Sequence, residues 1–195
     1  MDIRILSLTC AVWIGLGFAA ASAQVLVSVG NSRARSCYLA AKQGFASADL
    51  IKTCSTSLDE ENLTVKDRAA TYDNRGIMET SLGRLDQALA SFDAAIRTDA
   101  SLGDAHVNRG TILIRQKEYE DALAEINTGI ELGMAFLHIG YYNRAVAEEL
   151  LGRYRDAYYD YMYTLELEPG FTAAQERLKV FRVIRPGDMA NPPAG

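Results

Sequence analysis

Between residues 69 and 171, apolar and small side chains return at helical spacing in stretches separated by short polar turns. Tyr72-Asp73-Asn74-Arg75-Gly76 is followed 34 residues later by His106-Val107-Asn108-Arg109-Gly110, and 35 residues after that by Tyr141-Tyr142-Asn143-Arg144-Ala145. A second block keeps the same period: Leu85-x-x-Ala88-Leu89-x-x-Phe92, Tyr119-x-x-Ala122-Leu123-x-x-Ile126 and Tyr154-x-x-Ala157-Tyr158-x-x-Tyr161. Each period thus predicts a pair of helices, with turns at Leu82-Gly83-Arg84, Gln116-Lys117-Glu118 and Leu151-Gly152-Arg153. Glycine in such a turn accepts the left-handed backbone that stops the first helix. Ala88, Ala122 and Ala157 are small where the helices of a pair cross, and Gly76, Gly110 and Ala145 allow the same approach from the first helix. A fixed period of this size predicts stacked hairpins, each burying its neighbour's apolar face.

These residues carry a resemblance to the tetratricopeptide repeat. The period, the small residue eight places into each unit, the Gly-aromatic turn and the fixed alanine are similar to that family, in units 69–102, 103–136 and 138–171. The departures are specific. Pro169 fills the family's closing proline, whereas Ala100 and Met134 stand at the other two. Glu79 and Glu148 replace an aromatic, Lys117 replaces the turn glycine, and Gly129 and Thr164 replace a small helix residue. The resemblance implies an all-α fold, an α-solenoid of stacked antiparallel helix pairs. Residues 24–68 then read as a degenerate N-terminal hairpin with a polar connector over 59–68. Residues 172–185 read as a capping helix, which a terminal repeat needs to cover its open face, and 186–195 as a flexible tail.

Before the repeats stands a targeting pattern. Arg4 precedes an apolar run over 5–21, and Ala21-Ser22-Ala23 offers small residues where a signal peptidase reads them. Cleavage after Ala23 is expected, leaving a chain that starts at Gln24 and has no membrane-inserted segment. An uncleaved anchor is the rival reading, because the run approaches membrane-spanning length. Export, most simply to a bacterial periplasm or else as a secreted protein, agrees with the cysteines. Cys10 leaves with the signal, and Cys37 and Cys54 remain as an even pair, expected to form a disulfide across the N-terminal hairpin.

Composition narrows the function classes. The net charge is -5 with a pI near 5.1, which gives no basic footprint for nucleic acid or an anionic membrane. There is no nucleophile elbow, phosphate-binding glycine loop or paired-His helix. The two histidines, His106 and His138, make no metal-ligand pattern with the cysteines. The expectation is a non-catalytic interaction scaffold with no cofactor and no metal. Its partner would be a protein or peptide of unspecified identity, and self-association is open.

In the resembled family the inward positions of the first helices line a concave groove. Carried onto this chain, they are Asp73, Asn74, Ile77, Thr80; Val107, Asn108, Thr111, Ile114, Arg115; and Tyr142, Asn143, Val146, Glu149. Asn74, Asn108 and Asn143 recur at one place per unit. A carboxamide offers both donor and acceptor, so three of them form either a ladder for an extended peptide backbone or a set of internal hydrogen bonds. Arg75, Arg109 and Arg144 form either a cationic track or structural ion pairs, for which Glu125 and Asp160 are placed. The charges in the groove are mixed, with Arg115 against Asp73, Asp104 and Glu149, and no multi-lysine clamp for acidic peptide tails is present. An alternative function is assembly through the convex face or the C-terminal helix, where Tyr158, Tyr159, Tyr161 and Tyr163 crowd one helix.

Overall fold

The computed structural model describes residues 4–7 and 32–184. Nine helices follow in order among the described residues: α1 (Arg33–Lys42), α2 (Ala48–Glu60), α3 (Val65–Ser81), α4 (Leu85–Thr98), α5 (Gly103–Gln116), α6 (Tyr119–Leu132), α7 (Leu137–Leu150), α8 (Tyr154–Leu167) and α9 (Thr172–Leu178). A short antiparallel ribbon joins β1 (Arg4–Ser7) to β2 (Phe181–Ile184), with Arg4 opposite Ile184 and Ser7 opposite Phe181. Of the expected signal (1–23) only β1 falls within the described residues, and the tail (186–195) lies outside them.

The same turn closes every hairpin. Gly83 N–H donates to Thr80 O at 3.0 Å and Arg84 N–H to Glu79 O at 2.9 Å; the pattern recurs at Lys117 with Glu118, at Gly152 with Arg153 and at Gly44 with Phe45. The residue after each first helix must therefore be left-handed: Gly44, Gly83 and Gly152 have φ of 72°, 73° and 77°, and Lys117 has φ 68°. The recurrence at Gly44 makes the N-terminal hairpin a unit of the same kind as the three that follow. Its entry is fixed by Ser32, whose Oγ accepts from Arg35 N–H, and by Ser47, whose Oγ accepts from Leu50 N–H.

Within units α3 packs on α4, α5 on α6 and α7 on α8, while α4–α5 and α6–α7 join one unit to the next. Ala88, Ala122 and Ala157 are fully buried at the crossings. A Cβ added at Gly76 would stand 2.6 Å from the Phe92 ring, and one at Gly110 would stand 2.7 Å from Ile126. These positions are small because the partner helix fills the space. Phe92 and Ile126 anchor successive cores, and burial of a side chain of that size contributes about 2–3 kcal/mol.

Cys37 and Cys54 are bonded, with Cα atoms 5.2 Å apart and a sequence separation of 17. In the chain-entropy account a loop of that size is worth about 3 kcal/mol. Both cysteines are fully buried beside Ile51, Ile77 and Met78, so the bond clamps the unit that, among the described residues, has a neighbour on one side only.

Two boundaries differ from the sequence expectation. The connector expected over 59–68 is shorter, because α2 runs through Glu60 and α3 opens at Val65. Thr64 makes that early start: its Oγ1 accepts from Asp67 N–H at 3.1 Å and donates to the Asp67 carboxylate at 2.8 Å. The capping helix expected over 172–185 stops at Leu178. Val180-Phe181-Arg182-Val183-Ile184 is β-branched and aromatic, Pro186 bars a longer helix, and the segment takes extended geometry instead. The cap still works: Ala174 is fully buried, and the Phe181 ring lies 5.9 Å from Tyr161 and 6.0 Å from Tyr158.

Candidate functional site

The groove positions expected from the resemblance lie on α3, α5 and α7, and most of them are internal. Eight of the thirteen groove positions are buried: Asp73, Asn74, Ile77, Thr80, Val107, Ile114, Asn143 and Val146. Val107, Ile114 and Val146 belong to one apolar cluster and Ile77 to another, and Thr80 Oγ1 donates to Gly76 O within its own helix. Asn108, Thr111, Arg115, Tyr142 and Glu149 stay half-exposed. They form a strip along α5 and α7.

The asparagines occupy the joints between units. Asn108 Nδ2 donates to Asp73 Oδ1 at 2.9 Å, tying α5 to α3, and Asn143 Nδ2 donates to Thr111 Oγ1 at 3.1 Å, tying α7 to α5. Asn74 Nδ2 is buried and has no partner among the described residues. Two of the three carboxamides thus spend their N–H groups internally. At the C-terminal end, Glu149 accepts from Tyr161 OH at 2.7 Å and from Arg177 of α9 at 3.4 Å. Tyr142 packs against Tyr161 and Phe171, and burial raises its phenol above the ordinary range. Arg115 is partly buried too, which lowers its guanidinium.

On the outer side the arginines are staples. Arg75, Arg109 and Arg144 each reach the second helix of their own unit 16 residues on, at Ser91, Glu125 and Asp160. Each also reaches the second helix of the preceding unit, at Ser55, Asp93 and Asn127 respectively. Arg144 grips both oxygens of Asp160 at 2.7 and 2.9 Å, and that hydrogen-bonded pairing holds its guanidinium above its usual value. The structural alternative for these arginines is the one the structure displays. Sequence reading placed Glu125 and Asp160 but not Asp93 or Asn127; the constant spacing to the first set is visible in the chain, and the reach to the previous unit is not. Glu79 has a comparable role: it is buried and accepts from Ser91 Oγ at 2.6 Å beside Arg75. His106 pairs with Glu125 through Nδ1 at 2.9 Å.

Two further features lie on the convex side. A recess of about 390 Å³ between α4 and α6 is floored by Arg109 and Leu113 and rimmed by Asp93, Glu118, Asp121 and Glu125. On α8, Tyr159, Met162, Tyr163 and Leu167 form one exposed stripe, while Tyr161 is fully buried and Tyr158 half-buried. Among the described residues no group of three His, Cys, Asp or Glu side chains is placed to hold a metal ion, and no helix is long and apolar enough to cross a membrane.

No protein-family model and no curated protein matches the chain. Its fold is shared with solved tetratricopeptide domains. The first such domain of Spaghetti (RPAP3), bound to the HSP90 peptide SRMEEVD, superposes with a TM-score of 0.54 at 24% identity, over 57% of this chain and 87% of that one. The Arabidopsis OM64 domain gives 0.56 at 19% identity, over 60% and 95%. The crystal structure of MamA gives 0.58 at 17% identity, over 79% and 82%. At these identities the likeness shows the fold, which is that of a tetratricopeptide-repeat solenoid.

Proposed function

We propose that the chain is a non-catalytic interaction scaffold that holds a polypeptide segment against its concave face. The observation that carries this reading is the half-exposed strip of Asn108, Thr111, Arg115, Tyr142 and Glu149. Beyond its bonds to neighbouring units, it presents the carboxamide oxygen of Asn108, the ring of Tyr142 and the side chains of Arg115 and Glu149 along adjacent helices of a repeat stack. RPAP3 in the same fold is seen with the acidic peptide SRMEEVD. Here no multi-lysine clamp of the kind an acidic tail needs stands along α3, α5 and α7, so the segment held is neutral or basic.

Panning a random twelve-residue peptide library on the chain tests this. Selected peptides are expected to lose at least about tenfold in affinity on Arg115→Gln/Tyr142→Phe, to compete with one another, and to bind at least about tenfold better than SRMEEVD. Selection of acidic peptides, or affinities indifferent to the two substitutions, would sink the concave reading. The second reading is docking through the outer stripe of α8, favoured by the exposure of Tyr159, Met162 and Tyr163. Tyr159→Ser/Met162→Ser separates the two: loss of binding there, with the concave substitutions silent, selects it.

The proposed compartment is the periplasm, reached by cleavage after Ala23. Its support is the Arg4, apolar-run and Ala-Ser-Ala pattern together with a disulfide suited to an oxidising space. Cleavage removes β1 and leaves Phe181–Ile184 without that partner strand. The intact mass of the protein from the bacterial envelope is expected to match a chain beginning at Gln24 and two hydrogens lighter than its reduced form. A mass that includes residues 1–23 overturns the cleavage.

A further inference from the structure

The joint between α3 and α5 buries carboxyl groups to which the described residues give no ion pair. Asp73 is 1% exposed, and the one hydrogen bond that the described residues give its carboxyl comes from Asn108 Nδ2. Asp104, in the first turn of α5, is 5% exposed and accepts from Ala135 N–H at 3.1 Å. Four elements pack on α3: α1, α2, α4 and α5. From these, Asp104 is the titratable group whose charge reaches Asp73, and it is of the same sign. The cations of α3 are turned elsewhere, Lys66 toward Asp99, Arg68 to Leu58 O and Arg75 to Ser55, Ser91 and Glu79. Beside Asp73, Asn74 Nδ2 is a buried donor that satisfies neither carboxyl.

Asp104 stands one turn before Asn108 on α5, and a carboxyl taken out of water near a like charge, with no counter-charge, holds its proton more tightly. We propose that this joint is a proton-loaded latch: a proton held on the Asp73–Asp104 pair keeps the first two full units stacked, and its release loosens the concave face at that point. The latch is independent of whether the face holds a peptide.

Burial pushes Asp73 up to about 7, with the neighbouring Asp104 charge adding to it, and burial alone raises Asp104 to about 6. Both values lie above those of the unfolded chain, near 4. The folded state therefore binds protons more tightly. Its stability from this source is complete below about pH 4 and is lost as pH rises through 6 to 7. Carboxylates that hydrogen bonds hold low, such as Asp99 beside Ser101, titrate below that window. Glu148, which burial also raises, titrates in the same sense as the latch.

A variant comparison isolates the pair. Asp73→Asn keeps an acceptor for Asn108 and cannot ionise. Between pH 5.5 and 8.5 the folded-to-unfolded ratio of the wild type, from urea unfolding, is expected to fall at least about tenfold more than that of the variant. Equal pH dependence in the two overturns the latch. Carbon-13 titration of the aspartate carboxyls in the wild type gives the answer without the variant. Two midpoints between 6 and 7 support the proposal, and no aspartate midpoint above about 5 overturns it.

Discussion

Gly129→Ala is expected to destabilise the protein by about 2 kcal/mol and lower its melting temperature by about 5 °C, although alanine is the better helix former by about 1 kcal/mol. The sign is the informative part. A Cβ built at Gly129 lies 2.5 Å from Gly103 O and 2.6 Å from Val107 Cγ2, and one at Gly103 lies 2.5 Å from Gly129 O. Backbone meets backbone there, so a methyl group can be fitted only by moving α6 away from α5. The equivalent residue of the first unit is Ala95, fully buried without difficulty, and that of the third is Thr164, whose Oγ1 lies 3.4 Å from His138 O. Resemblance to other units therefore recommends alanine at 129, and the structure forbids it. Thermal unfolding of Gly129→Ala decides between them, and a variant at or above the wild-type melting temperature would refute the close approach.

Arg144→Met is the second large loss, about 3 kcal/mol. Methionine keeps the aliphatic stem but removes the guanidinium from Asp160, Asn127 and the Tyr141 ring 4.8 Å away. Asp160 is 9% exposed, and removing its cation strands a buried carboxylate, which costs far more than the pair's net contribution. Arg144→Met/Asp160→Leu removes both partners and is expected to recover most of the loss, to within about 1 kcal/mol of wild type. Denaturant midpoints for the single and double variants measure the difference. A double variant as weak as Arg144→Met alone would mean that packing, and not the stranded charge, sets the cost.

The solenoid was legible because its evidence is periodic. Helix pairs, turns, crossing alanines and the Cys37–Cys54 bond all follow from positions that recur or pair along the chain. The state of the inward face was not legible in the same way. Carrying groove positions over from the family assumes an open superhelix, and Ile77, Val107, Ile114 and Val146 at those positions are apolar residues that pack into the cores instead. That apolar character was a signal available in the sequence. The bonds of Asn108 to Asp73 and Asn143 to Thr111 span 35 and 32 residues, close to one period but not equal to it, so no fixed spacing announces them. The α9–β2 boundary escaped for a different reason: a short amphipathic run looks alike as a helix or as an extended segment until its partner, here the ring pair of Tyr158 and Tyr161, is known.

The arginine staples give the chain a grammar for growth. Each of the three full units carries a tongue, its arginine, and the second helix of the unit before it carries the socket: Ser55, Asp93 and Asn127 in turn. A copy of either inner unit, α3–α4 or α5–α6, spliced between two others brings both halves and leaves every tongue a socket. An insertion of half a unit orphans one of each. Lengthening by duplication is therefore open to this architecture only in steps of a full period, and the chemistry of each socket can drift from hydroxyl to carboxylate to carboxamide while the joint is kept.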